Sequence, residues 1–131
     1  MARWKSRTLT EGELDFMRIL WGGDGMTPDE IIASLAEQGR QLTGGTVRNV
    51  LALMMEKGYV SRSKKGKTHL YRAVVDEDRA LREMTHDLLD RVFGGSESMM
   101  VASLLKNRDI DPAEIERIKH LIEDSGEEDK S

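Results

Sequence analysis

The sequence predicts a mainly α-helical fold of three helices and a two-stranded β-hairpin followed by three further helices. Three observations predict it. A Thr- or Asp-led helix start recurs four times, glycines close the apolar-periodic runs, and the hydrophobic period changes once, between residues 59 and 72.

The first start is Leu9-Thr10-Glu11-Gly12-Glu13-Leu14. Thr10 can accept from the backbone N–H of Glu13 while Glu13 reaches back to Thr10, with Leu9 and Leu14 as a hydrophobic staple. Met26-Thr27-Pro28-Asp29-Glu30-Ile31 repeats the arrangement with proline at the first helical position, and Ile110-Asp111-Pro112-Ala113-Glu114-Ile115 repeats it again. Leu42-Thr43-Gly44-Gly45-Thr46-Val47 has the cap and the staple without the acid. Gly22-Gly23, Gly39, Gly58 and Gly94-Gly95 stand where left-handed residues would end helices. The helices are therefore expected at about 10–21, 28–38, 44–57, 77–93, 97–107 and 112–124. Residues 125–131, SGEEDKS, are expected to be a disordered acidic tail.

Between the third and fourth helices, Tyr59, Val60, Leu70 and Tyr71 favour strands and Lys65-Gly66 supplies a turn. Helix, helix, helix and hairpin in some seventy residues is the order of a winged helix-turn-helix. The expected core is Leu14, Met17, Ile19, Leu20, Trp21, Ile31, Ile32, Leu35, Val47, Val50, Leu51 and Met54, from helical spacing. The expected division is a winged domain at 1–75, a helical domain at 76–124 and the tail.

A chain of 131 residues with 38% hydrophobic and 34% charged residues is a globular composition with a modest core. It has no cysteine, which excludes disulfides, thiolate metal sites and a cysteine nucleophile. The N-terminus MARWKSRTLTEGE is basic but has no apolar stretch, and no apolar run approaches a membrane span, so a cytoplasmic protein is expected. The polar residues show no metal-ligand spacing, no nucleophile–base set and no phosphate-cradling loop. His69 falls on the hairpin and His86 and His120 on separate helices, all expected to face solvent. No catalytic residue, metal or cofactor is expected.

The formal net charge is −4, yet residues 59–72, YVSRSKKGKTHLYR, hold five cations and no acid. Residues 1–79 carry thirteen Lys/Arg against eleven Asp/Glu, and residues 80–131 carry seven against thirteen. Local sign matters more than net charge, because salt confines the field to roughly 8–10 Å. In a winged helix-turn-helix the third helix enters the DNA major groove and the wing lies along the backbone. Arg62, Lys64, Lys65 and Lys67 on the wing are suited to phosphates. The polar helix start Thr43, Gly44, Gly45, Thr46 allows close approach to phosphate, and Arg48 and Asn49 are types that read guanine and adenine edges. These ten residues are the candidate DNA-binding set. The alternative is a winged helix used for protein interaction or as an architectural DNA binder. That reading explains the wing, but not the polar helix start together with the apolar stripe that follows.

The stripe runs through Leu81, Met84, Leu88, Leu89, Val92 and Phe93, and the last two helices add Met99, Val101, Leu104, Leu105, Ile115, Ile118, Leu121 and Ile122. Three helices in about fifty residues bury too little to stand alone. A second copy of the chain would supply the missing core, so a homodimer is expected.

The sequence resembles the penicillinase/methicillin-resistance repressor family, which also includes copper-responsive repressors. The residues that carry the resemblance are Leu9-Thr10-x3-Leu14-x2-Met17-x2-Leu20-Trp21, Glu30-Ile31-Ile32-x2-Leu35, Thr43-x2-Thr46-Val47-x3-Leu51-x2-Met54-x2-Lys57-Gly58 and Gly66-Lys67-x3-Tyr71. Phe93-Gly94-Gly95-Ser96 and Ser98-Met99-Met100-Val101 continue it, so that it spans about residues 8–123. The resemblance implies a dimeric winged-helix repressor that binds a palindromic operator and leaves it on a signal. In the β-lactam branch a membrane sensor-protease triggers cleavage in the helix corresponding to 97–107, at an Asn-Phe bond. The aligned candidate cleavage pair here is Ser103-Leu104, and Gly44-Gly45 stands where the family has Pro-Lys. The copper branch uses a C-terminal cysteine motif that a chain without cysteine lacks.

Overall fold

The computed structural model describes residues 8–106 and 109–130. The elements follow in the order α1 (Glu11–Leu20), α2 (Pro28–Glu37), α3 (Gly44–Glu56), β1 (Val60–Lys65), β2 (Thr68–Ala73), α4 (Glu77–Phe93), α5 (Glu97–Lys106) and α6 (Pro112–Lys130).

Local hydrogen bonds set the first helix starts. Thr10 Oγ1 accepts from Glu13 N at 3.1 Å and Glu13 Oε1 accepts from Thr10 N at 2.9 Å. Thr27 and Glu30 close the same box at 3.2 and 2.9 Å, and Thr43 Oγ1 accepts from Thr46 N at 3.2 Å. The box expected at α6 differs. Asp111 accepts from Ala113 N at 2.8 Å, but Glu114 takes the Arg117 guanidinium at 3.0 Å rather than reaching back. A charge-assisted bond one turn along outcompetes the neutral backbone donor.

At the end of α3, Tyr59 N donates to Met54 O at 3.0 Å and Gly58 N to Met55 O at 3.1 Å, with Gly58 left-handed at φ 86°. Such a Schellman closure satisfies the last carbonyls. Gly22 and Gly23 are not left-handed as expected. They close α1 with tight bonds to Ile19 O and Leu20 O, and the positive φ falls on Gly25. The expected tail is also corrected: α6 runs on through Lys130. Glu and Lys are good helix formers, and one interior glycine, Gly126, costs only about 1 kcal/mol.

β1 and β2 pair antiparallel, with Val60 opposite Ala73, Arg62 opposite Tyr71, Lys64 opposite His69 and Lys65 opposite Thr68. The turn is Gly66-Lys67, and Gly66 takes φ 65° at its first central position, as a primed hairpin turn requires. Met26 adds a bridge on the other side of β2, exchanging bonds with Tyr71 at 2.9 and 2.8 Å.

The core gathers Phe16, Met17, Leu20, Ile31, Leu35, Val47, Leu51 and Met54 with Leu9, Tyr59, Val60 and Tyr71. Leu14, Trp21, Ile32 and Val50 are only partly buried against it. Glu13 is the one buried charged residue among those described. Its Oε1 accepts from Lys57 Nζ at 2.7 Å, and Lys57 also donates to Thr8 O at 3.0 Å. One carboxylate thus caps α1 and ties it to the end of α3.

The chain divides into two compact units at Leu88–Leu89, inside α4, where the sequence placed a boundary at 75–76. The first turns of α4 belong to the winged unit. Ala80 is fully buried in its core, and Met84, expected in the apolar stripe for a second copy, packs against that core instead. Among the described residues no helix is long and apolar enough to cross a membrane. In the second unit α5 has no buried residue.

Candidate nucleic-acid interface

α3 turns Val47, Leu51 and Met54 into the core, which leaves Gly45, Thr46, Arg48, Asn49, Ala52 and Leu53 exposed. Thr43 is occupied by capping, since its hydroxyl accepts from Thr46 N and donates to Thr46 Oγ1 at 3.0 Å. Gly44 has a steric reason: a Cβ there would meet Arg48 Nη1 at 2.9 Å, so the bare backbone lets the guanidinium lie against the helix start. At Gly45 a Cβ would meet nothing within 4 Å.

Alternation along the hairpin sorts its cations. Arg62 and Lys64 share a face with Val60, and their cross-strand partners Tyr71 and His69 share it too. Lys65, Leu70 and Arg72 fall on the other face, and Arg72 lies over Gly25. Arg62, Lys64, Lys65 and Lys67 are all exposed.

A cleft of about 500 Å³ opens between the start of α2, the side of α3 and the wing. Arg48, Arg62 and Lys67 line it, together with Asp29, Ala52 and His69. The structure thus brings three of the candidate cations around one concavity. Thr43, Gly45, Thr46 and Asn49 lie outside it. His69, expected to face solvent, is half-buried in the cleft; its place opposite Lys64 follows from strand alternation once the register is known. Ala52 was equally unassigned, and its signal was helical spacing, one turn beyond Arg48 and Asn49.

Two of the eight cations in 40–72 are committed elsewhere. Arg40 bonds Asp15 at 2.9 Å and lies over the Phe16 ring, and Lys57 holds Glu13. Near the wing, the Thr27 backbone and then its hydroxyl bond to Glu30 and hold that carboxyl below its ordinary range. Among the described residues no group of His, Cys, Asp and Glu could hold a metal ion.

Three helices, a basic hairpin and a cleft lined by cations from both define a winged helix-turn-helix protein. The chain belongs to the penicillinase repressor family, whose description matches residues 9–124. That family comprises transcriptional repressors, not enzymes. The penicillinase repressor of Bacillus licheniformis is 23% identical over 116 residues, covering 88% of this chain and 90% of the relative. The methicillin resistance regulatory protein MecI of Staphylococcus aureus is 22% identical over 118 residues, covering 90% and 95%. Among solved structures, the DNA-binding domain of the repressor BlaI aligns with TM-score 0.50 at 22% identity, over 59% of this chain and 93% of that one. hsRosR-S4 aligns with TM-score 0.52 at 20% identity, over 90% of both chains. Both likenesses concern the fold.

Proposed function

We propose that the chain is a homodimeric, sequence-specific DNA-binding repressor that binds a palindromic operator and leaves it on a signal. The observation that carries this reading is the shared cleft. Arg48 of the third helix and Arg62 and Lys67 of the wing face one concavity, beside an exposed polar helix surface bearing Asn49. In this arrangement the wing cations and the start of α3 hold phosphates, while Arg48 and Asn49 meet base edges.

Exposed apolar residues support the dimer. Leu81, Leu88, Val92, Met99, Val101, Leu104, Leu105, Leu121 and Ile122 are large and exposed in the single chain. That much apolar surface on α4, α5 and α6 is what a second copy would cover. Leu89, Phe93, Ile115 and Ile118, already at least partly buried within one chain, would form its inner edge. The excess of acids after residue 80 keeps this part away from phosphates.

Release by a membrane sensor-protease is a further part of the proposal. Ser103 and Leu104 lie inside α5, so cleavage there would require that helix to open locally, which its lack of buried residues favours.

The test is a selection from a randomised duplex library, followed by titration of the selected and a scrambled duplex at fixed salt, with sedimentation of the free protein. A twofold-symmetric site bound about 10³-fold or more over scrambled DNA, by a protein that sediments as a dimer, is the expected result. A ratio near one would favour an architectural role, and a monomer binding the full site would overturn the dimer.

A further inference from the structure

The winged unit does not end with its wing. Tyr59 is buried to 2% exposure, and its hydroxyl donates to Glu83 Oε2 on α4. A buried phenol needs such a partner. Glu83 Oε1 accepts from Arg79 Nε at 3.0 Å, and Arg79 N is held by Asp76 Oδ1 at 2.8 Å. Just before the helix, Trp21 Nε1 donates to Val75 O at 2.9 Å. Ala80 and Met84 pack into the core on the same side.

The docked residues Ala80, Glu83 and Met84 follow helical spacing along one face. Leu81 and Leu88 lie on the adjacent face and are exposed, at 38% and 45%. The first turns of α4 therefore cannot swing without unseating Ala80 and breaking the Glu83 carboxylate from Tyr59, while Arg79, one turn back on the same helix, holds that carboxylate in place. The Tyr59 hydrogen bond, and then Arg79, hold the Glu83 carboxyl below its ordinary range, so this contact is ionised at neutral pH.

We propose that the Tyr59–Glu83–Arg79 contact is a positioning device that fixes the direction in which α4 leaves the winged unit, and thereby the half-site spacing the dimer accepts. The inference rests on the operator-binding homodimer argued above. One added base pair rotates a half-site by roughly 34° about the duplex. A rigid exit from the winged unit makes that rotation costly, whereas a loosened one spreads the second unit over many positions and lowers its effective concentration at the second half-site.

The test uses the full chain with three duplexes. These are the selected operator, the same operator with one base pair added or removed at its centre, and a single half-site. Tyr59→Phe and Glu83→Ala should leave half-site affinity within about twofold, weaken the operator about tenfold and reduce the penalty for altered spacing. Glu83→Gln keeps an acceptor for the phenol and should restore most of the spacing preference. If the parent chain discriminates spacing and both variants discriminate equally well, the inference is overturned. Equal losses on half-site and operator would overturn it too, because they indicate general destabilisation. A parent chain with no spacing preference would instead bring down the dimer reading itself, and this inference with it.

Discussion

Replacing Lys64, Lys65 and Lys67 together with alanine should weaken binding to every duplex and flatten its salt dependence. All three are exposed and, among the described residues, none takes part in a salt bridge, so their loss leaves the fold intact. They also stand on different sides of the wing: Lys64 on the cleft-side face, Lys65 on the other and Lys67 in the turn. Each phosphate neutralised contributes about 0.9 to the slope of log K against log salt, so three contacts contribute about 2.7. Between 50 and 200 mM salt, the deficit of the variant should therefore shrink by roughly 40-fold. Fluorescence anisotropy on the selected and a scrambled duplex across that range reads this directly. A slope reduced by less than about one, or a loss confined to the selected duplex, would refute the assignment of the wing to phosphates.

Arg48→Ala should cost roughly 1–3 kcal/mol on the cognate site and relax one base position in a repeated selection, and an unchanged preference removes Arg48 from the reading set. Lys57→Met leaves the buried Glu13 carboxylate without its cation and should destabilise the winged unit by about 2–3 kcal/mol, below the full cost of a buried pair because Lys57 is partly solvated. In a thermal melt this is a fall of roughly 10–20 °C, which adding Glu13→Gln should partly recover. Leu88→Asp puts a carboxylate into the proposed interface without touching the winged core, at a cost of several kcal/mol to assembly. Sedimentation should show monomers that keep half-site binding; a variant that stays dimeric would contradict the assignment. Glu30 has a folded pKa held below its ordinary value of 4.5, so its contribution is present above that value and lost as pH falls below it. Acid denaturation of Glu30→Gln should lack that component, and an unaltered pH profile would remove Glu30 as a working cap.

What could be read in advance was whatever depends on neighbours within one helical turn. Thr10, Thr27 and Thr43 cap because the donor each must reach lies three residues on, and Gly58 and Gly66 turn because their own backbone allows it. Helical spacing likewise placed Val47, Leu51 and Met54 inside and Arg48 and Asn49 outside. The wing's cations were legible for the same reason, since a hairpin tip is exposed whatever it packs beside. Packing between distant segments decided the rest. Phe16 and Tyr59 are buried, Met26 pairs with Tyr71, and Lys57 reaches Glu13 only because three helices and a strand converge. Met84 shows the contrast most sharply: its spacing fits the apolar stripe of α4 as well as it fits the core of the winged unit. Periodicity says that a side chain is apolar and which face it shares, while which partner covers that face is settled by long-range contacts that no local pattern encodes. His69 entered the cleft by the same route, through a cross-strand register that the turn at Gly66-Lys67 sets one residue beyond where the sequence placed it.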